Sequence, residues 1–223
     1  GAPSPYRTIA FPNESSWDPA ELEIDPLPDR LRRRWESLFI RFLSHSQRAM
    51  PGRLILKSPT HTWRIPTILR MFPRARFIHV IRDPFEVYPS TVHLWRALSR
   101  AHGLQKPRQE LLEDRVFDVF CHMHRRLNAT RAMVPKGQWA ECRYERLVAD
   151  PLETMRGLYD GLDLGSFAEI EPRLVEVLAK RAGYKPNRFK ELGENLGREI
   201  CARWGGVIDA QGYSRRGFGP EKL

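Results

Sequence analysis

Two apolar runs in this chain each stop on a cation. Leu54-Ile55-Leu56 closes on Lys57, and twenty residues later Phe77-Ile78-His79-Val80-Ile81 closes on Arg82. Short, continuous apolar runs of this kind read as strands buried on both faces. Between them Ile65, Ile68, Leu69 and Phe72 recur at helical spacing and read as a crossover helix. Strand, helix, strand in that order predicts a mainly parallel sheet with helices on both faces, an α/β fold. In such a sheet the carboxyl ends of the strands line the ligand crevice, which is where Lys57 and Arg82 would emerge. A crevice of that kind suits a highly charged anion.

The residues after Arg82 strengthen the case. Asp83-Pro84-Phe85-Glu86 supplies an N-cap acid, a proline at the first helical position and a glutamate at the third, so a helix starts there and runs to about His102, kinked at Pro89. A helix start offers free N–H groups and a positive dipole to an anion. Elsewhere the pattern predicts a proline-rich, extended lead-in over 1–26 and a helix from Leu27 to Met50 carrying Leu31, Trp35, Leu38, Phe39, Phe42 and Leu43. The first strand spans Arg53 to Lys57 and the second residues 76–82. A long helix from Gln109 to Met133, a strand from Gln138 to Tyr144 and helices near 151–162, 169–181 and 191–204 complete one domain over residues 1–223.

Charge and cysteines narrow the setting. The 37 Lys and Arg against 27 Asp and Glu leave a formal charge of +10, which favours anionic partners: nucleotides, nucleic acid, anionic lipid or sulfated sugars. No apolar run reaches the length of a bilayer span. Cys121, Cys142 and Cys201 are odd in number and widely spaced, suggesting neither a disulfide framework nor a zinc site, and a cytoplasmic setting fits best. Gly1 is no natural initiator, so a trimmed or processed chain is expected.

Each candidate residue carries a plain reading beside the functional one. Lys57 is a solvated strand-end lysine or a crevice cation, and His61, at a helix start, is a surface residue or a general base. Arg82 either meets a ligand anion or pairs with Asp83 or Glu86. Ser90, about two helical turns on, faces the same side as the helix start or is an ordinary helix serine. Cys121-His122-Met123-His124 is not a metal site on this reading, because the histidines do not share a helix face. Trp63, Tyr88, His93 and Trp95 line an acceptor pocket or belong to the core.

The stretches LILKSPTHTWRIPTILRMFPRARFIHVIRDPFEVYPSTVHLWRAL, residues 54–98, and RYERLVADPLETMRGLYDGL, residues 143–162, resemble the sulfotransferases that use 3′-phosphoadenosine-5′-phosphosulfate (PAPS), nearest their broad, largely bacterial branch. The resemblance implies a P-loop-transferase fold and an enzyme moving a sulfuryl group from PAPS to a hydroxyl or amine, releasing adenosine 3′,5′-bisphosphate. It implies that Arg82 and Ser90 hold the 3′-phosphate, that Tyr144 lies at the adenine pocket, that Lys57 reaches the transferring sulfate and that His61 is the base. No metal is needed.

One part of the family pattern is missing. Its relatives cradle the 5′-phosphosulfate with an N-terminal strand-loop-helix, and neither Gly1-Ala2-Pro3-Ser4-Pro5 nor Pro51-Gly52-Arg53 follows an apolar strand. An incomplete pocket is expected, open or filled by a partner chain that completes the sheet, with no transfer by these residues alone. Two alternatives stay open: a sulfotransferase-like scaffold without catalysis, and a basic nucleic-acid-binding module, the latter weakened by the dispersal of the arginines.

Overall fold

The computed structural model describes residues 5–14, 22–181, 183 and 192–218. In chain order its elements are α1 (Pro5–Ala10), α2 (Asp29–Ala49), a 3-10 turn (Pro59–Arg64), α3 (Ile65–Met71), β1 (Phe77–Ile81), α4 (Pro84–His102), α5 (Gln109–Arg131), β2 (Trp139–Arg143), α6 (Tyr144–Ala149), α7 (Pro151–Leu162), α8 (Phe167–Lys180) and α9 (Glu194–Ala210). β1 and β2 pair in parallel, Phe77 opposite Trp139 through Ile81 opposite Arg143. Among the described residues they form a two-stranded sheet in a helix-rich α/β chain.

Two expectations need correction. Arg53 to Lys57 is not a strand: the segment joins no ladder, and Ile55 is 91% exposed. An apolar run becomes a strand only where a neighbour takes up its N–H and C=O groups, and no described strand does so here. The lead-in is also not simply extended, because α1 forms within it and buries Thr8 and Ile9. Residues 1–4, 15–21 and the basic Tyr184-Lys185-Pro186-Asn187-Arg188 segment lie outside the described residues.

Two compact units can be told apart, residues 1–75 with 94–134 and residues 76–93 with 135–223. In the first, α5 contributes Leu112, Val116, Phe117, Phe120 and Leu127 to a core shared with Trp63, Ile65 and Ile68. Trp63 therefore belongs to the core rather than to an acceptor pocket. The stripe of α2 is divided: Trp35, Phe39 and Leu43, four residues apart, turn inward, while Leu31, Leu38 and Phe42 stay exposed. Leu22 and Ile24 are buried beside two carboxylates with full sets of partners. Glu23 accepts from His122 at 3.0 Å and pairs with Arg126 at 3.2 Å; Asp25 accepts from Thr67 Oγ1 at 2.6 Å and Arg126 at 3.0 Å. Carboxylates this enclosed persist only when paired. His122 is thus a partner of Glu23, while His124 lies against the Phe120 ring, with centroids 4.4 Å apart.

In the second unit, Ile81, Phe85, Tyr88, Leu158, Leu162, Ile200, Trp204 and Ile208 are buried. Tyr88 meets Trp204 edge to face at 5.6 Å, so it too is core. Arg76 Nε caps the end of α7 by donating to the Leu162 carbonyl at 2.7 Å. One face of β1 is open: Ile78 and Val80 are 44% and 52% exposed.

Candidate active site

The start of α4 shows why this sequence presents Arg82. Asp83 caps the helix through Oδ1, which accepts from the Phe85 N–H at 2.9 Å, and Pro84 fixes the first helical φ. A reciprocal capping box would have Glu86 accept from the Asp83 N–H. Instead that N–H donates to Glu145 Oε1 at 2.9 Å, and Glu145 Oε2 accepts from the Tyr213 hydroxyl at 2.9 Å. Burial pushes the Glu145 carboxyl up, but the Asp83 N–H, the Tyr213 hydroxyl and the Arg82 charge outweigh it and hold it below its ordinary range. Tyr213 is pushed up to about 12, first by burial and then by Glu145.

Arg82 leaves the end of β1 and lays its guanidinium over the Tyr144 ring, 4.4 Å from the centroid. Stacking on an aromatic face fixes the plane of the fork without using its N–H donors. Glu86 stands 4.0 Å away, the limit of an ion pair. The tight partner of the neighbouring acids is Arg216, 2.6 Å from Asp83 Oδ2 and 3.4 Å from Glu86 Oε1. The plain reading of Arg82, a salt bridge to these acids, is thus largely filled by another arginine. The geometry brings Arg82 and Tyr144 together. Ser90 is half-buried, about 9 Å along α4 from its first residue.

Lys57 and His61 belong to the other unit. Lys57 is exposed, and Ser58 then turns the chain into the 3-10 segment, its carbonyl accepting from the His61 N–H at 3.1 Å. The His61 ring lies 6.1 Å from Phe39, with Nδ1 buried and unpartnered among the described residues, so Nε2 is the nitrogen left to meet an acceptor. Burial and then the Arg64 charge lower its pKa from the usual 6.5, which favours the neutral, proton-accepting imidazole.

Tyr213→Phe should lower stability by about 1 kcal/mol, the worth of one hydrogen bond to a partly enclosed carboxylate. Because a raised tyrosine pKa contributes stability below pH 10 that is lost as pH rises through about 12, the gap between variant and parent should close at high pH. Urea titration at pH 7 and pH 11.5 reads both; an equal gap at the two pH values would remove Tyr213 as the donor.

The signature of the sulfotransferase family matches residues 6–169, a stretch that contains Lys57, His61, Arg82, Ser90 and Tyr144. The chain belongs to the sulfotransferase family. Over 223 residues this sulfotransferase-family chain is 40% identical to the omega-hydroxy-beta-dihydromenaquinone-9 sulfotransferase Stf3 of Mycobacterium bovis and, equally, to that of Mycobacterium tuberculosis. All of this chain and 57% of each relative are covered, so it spans little more than half their length. No solved structure matches it.

Among the described residues no His, Cys, Asp or Glu side chains group as a metal site would need, and no helix is long and apolar enough to cross a membrane. Glu145 and Arg216 were not anticipated from the sequence. Glu145 had a signal, since it follows Tyr144 directly in a resembling stretch; Arg216 lies beyond that stretch and had none.

Proposed function

We propose that this chain carries the nucleotide 3′-phosphate site of a PAPS-dependent sulfotransferase, within one P-loop-transferase-type domain over residues 1–223. The observation that carries the reading is Arg82: it closes a parallel strand at a capped helix start, is stacked on Tyr144, and has its neighbouring acids taken by Arg216. Among the described residues only Glu86, at 4.0 Å, approaches its N–H donors, which can turn to charge-assisted bonds with a phosphate, Ser90 adding a hydroxyl and Tyr144 bordering the adenine.

The transfer itself asks for positioning and charge stabilisation. The acceptor oxygen attacks sulfur, the bond from sulfur to the bridging phosphate oxygen breaks, and adenosine 3′,5′-bisphosphate leaves. Lys57 stabilises charge on the bridging oxygen, and His61 Nε2 takes the acceptor proton. The acceptor class we propose is an apolar alcohol. Its support is the relatives' named substrate, an omega-hydroxylated dihydromenaquinone, and the exposure of Ile55 and Leu56 immediately before Lys57. Three free thiols fit a reducing, cytoplasmic setting. The open face of β1 calls for cover by further polypeptide, from this protein or a partner chain.

Two measurements test this reading. Calorimetric titration should show adenosine 3′,5′-bisphosphate binding at least tenfold more tightly than adenosine 5′-monophosphate, about 1.4 kcal/mol for the 3′-phosphate; equal affinities would remove the 3′-phosphate site. In the full-length enzyme the acid limb of kcat/KM should fall below pH 6.5, because burial and Arg64 keep His61 unprotonated there. Arg64→Gln should move the limb upward. A limb that ignores this substitution would place the base elsewhere.

A further inference from the structure

We propose that Arg216 is a positioning residue for the phosphate site: it takes the Asp83 and Glu86 carboxylates and so keeps Arg82 on Tyr144 with its donors open to an anion. This rests on the reading that Arg82 binds the 3′-phosphate. Left to itself, an arginine followed by an acid four positions on would pair with it, one helical turn away. The structure shows the opposite assignment. Arg216 is 2.6 Å from Asp83 and 3.4 Å from Glu86, while Arg82 stays 4.0 Å from Glu86 and 4.4 Å from the Tyr144 centroid.

Arg216 is held where it is by a built hook rather than by chance. Its φ is +52, the left-handed region a side-chain-bearing residue enters only at a cost in strain, and Gly217 follows at +78. The Arg216 N–H donates to Ser214 Oγ at 3.1 Å. On either side the segment is anchored. Arg215 makes a two-pronged pair with Asp209 at 3.0 and 2.5 Å, Tyr213 reaches Glu145, and the Arg143 fork lies over the Tyr213 ring at 4.7 Å while donating to the Gln211 carbonyl. Beyond it Phe218 stands 5.8 Å from Phe85 and fills the space above Gly197, where an added Cβ would come within 2.7 Å of the ring. The Arg216 guanidinium itself lies 5.2 Å over Phe85. A strained backbone fixed by contacts on both sides delivers one guanidinium to two acids. Without it Asp83 and Glu86 would lose their close cation and leave their charge beside Arg82, a poor reception for a bisphosphate.

Affinity for adenosine 3′,5′-bisphosphate, measured by calorimetry on the full-length protein and a set of variants, tests this. Arg216→Ala is expected to weaken binding about tenfold, Arg216→Lys less, and Arg216→Ala with Glu86→Gln to regain most of the loss. In an Arg82→Ala background, Arg216→Ala should change little further, because Arg216 acts through Arg82. Full affinity in Arg216→Ala, no recovery with Glu86→Gln, or a full additional loss in the Arg82→Ala background would each overturn the proposal. Should Arg216→Ala not fold, Arg216→Lys carries the same comparison: full affinity there, or no gain from Glu86→Gln, contradicts it. Unchanged affinity in Arg82→Ala alone would instead overturn the reading of the site itself.

Discussion

Arg82→Ala is expected to weaken adenosine 3′,5′-bisphosphate by about 1.5–3 kcal/mol, the range for hydrogen bonds to a charged group. The size reflects the surroundings. Arg82 is half-buried, held flat by Tyr144, and spared the pairing that would otherwise consume its donors. A pre-placed fork loses little side-chain entropy when a phosphate arrives. Ser90→Ala should cost less, since a neutral hydroxyl gives one weaker bond. Arg82→Lys should recover only part of the loss, because an ammonium neither stacks on Tyr144 in the same way nor presents a planar fork. Calorimetric titration of the three variants checks the order; equal losses in all three would mean that the site responds to general disturbance and not to phosphate contact.

His61→Ala should lower kcat by about 10²–10⁴-fold, the usual contribution of a positioned base, with bisphosphate affinity unchanged. Lys57→Ala should do the same by about 10²–10³-fold through the charge on the leaving oxygen. These residues act on the transferring group and the acceptor proton, whereas the bisphosphate product has already lost the sulfuryl group. Loss of binding in step with loss of turnover would make both residues structural. Near-normal turnover in His61→Ala would assign the base to another group.

Local chemistry was legible in the sequence and long-range pairing was not. The cap at Asp83, the proline at 84 and the strand before them form a self-contained signal, and the structure places β1 and α4 within a residue of it. The strand at 139–143 and its parallel direction could be read from apolar runs and helical crossovers. Arg53 to Lys57 failed because a strand is a relation between segments, and a run of Leu-Ile-Leu does not say whether a partner stands beside it. α6 went unread because its six residues, Tyr144–Ala149, give too short a window for helical periodicity. The partners of the site failed for the same reason as the strand. Glu145 reaches Asp83 across 62 residues and Arg216 reaches it across 133, and neither contact leaves a local trace. The expected reciprocal bond from Glu86 was displaced by Glu145, which freed Glu86 to pair with Arg216.

The central claim is sulfuryl transfer, and it is tested most directly by incubating the full-length protein with sulfur-labelled PAPS and an omega-hydroxylated dihydromenaquinone in detergent. The label is expected to pass to the acceptor with one equivalent of adenosine 3′,5′-bisphosphate released, and to do so at least tenfold more slowly at limiting PAPS in Arg82→Ala. Tight bisphosphate binding with no label transferred to this or any simpler alcohol would contradict the account and leave a nucleotide-binding scaffold in its place.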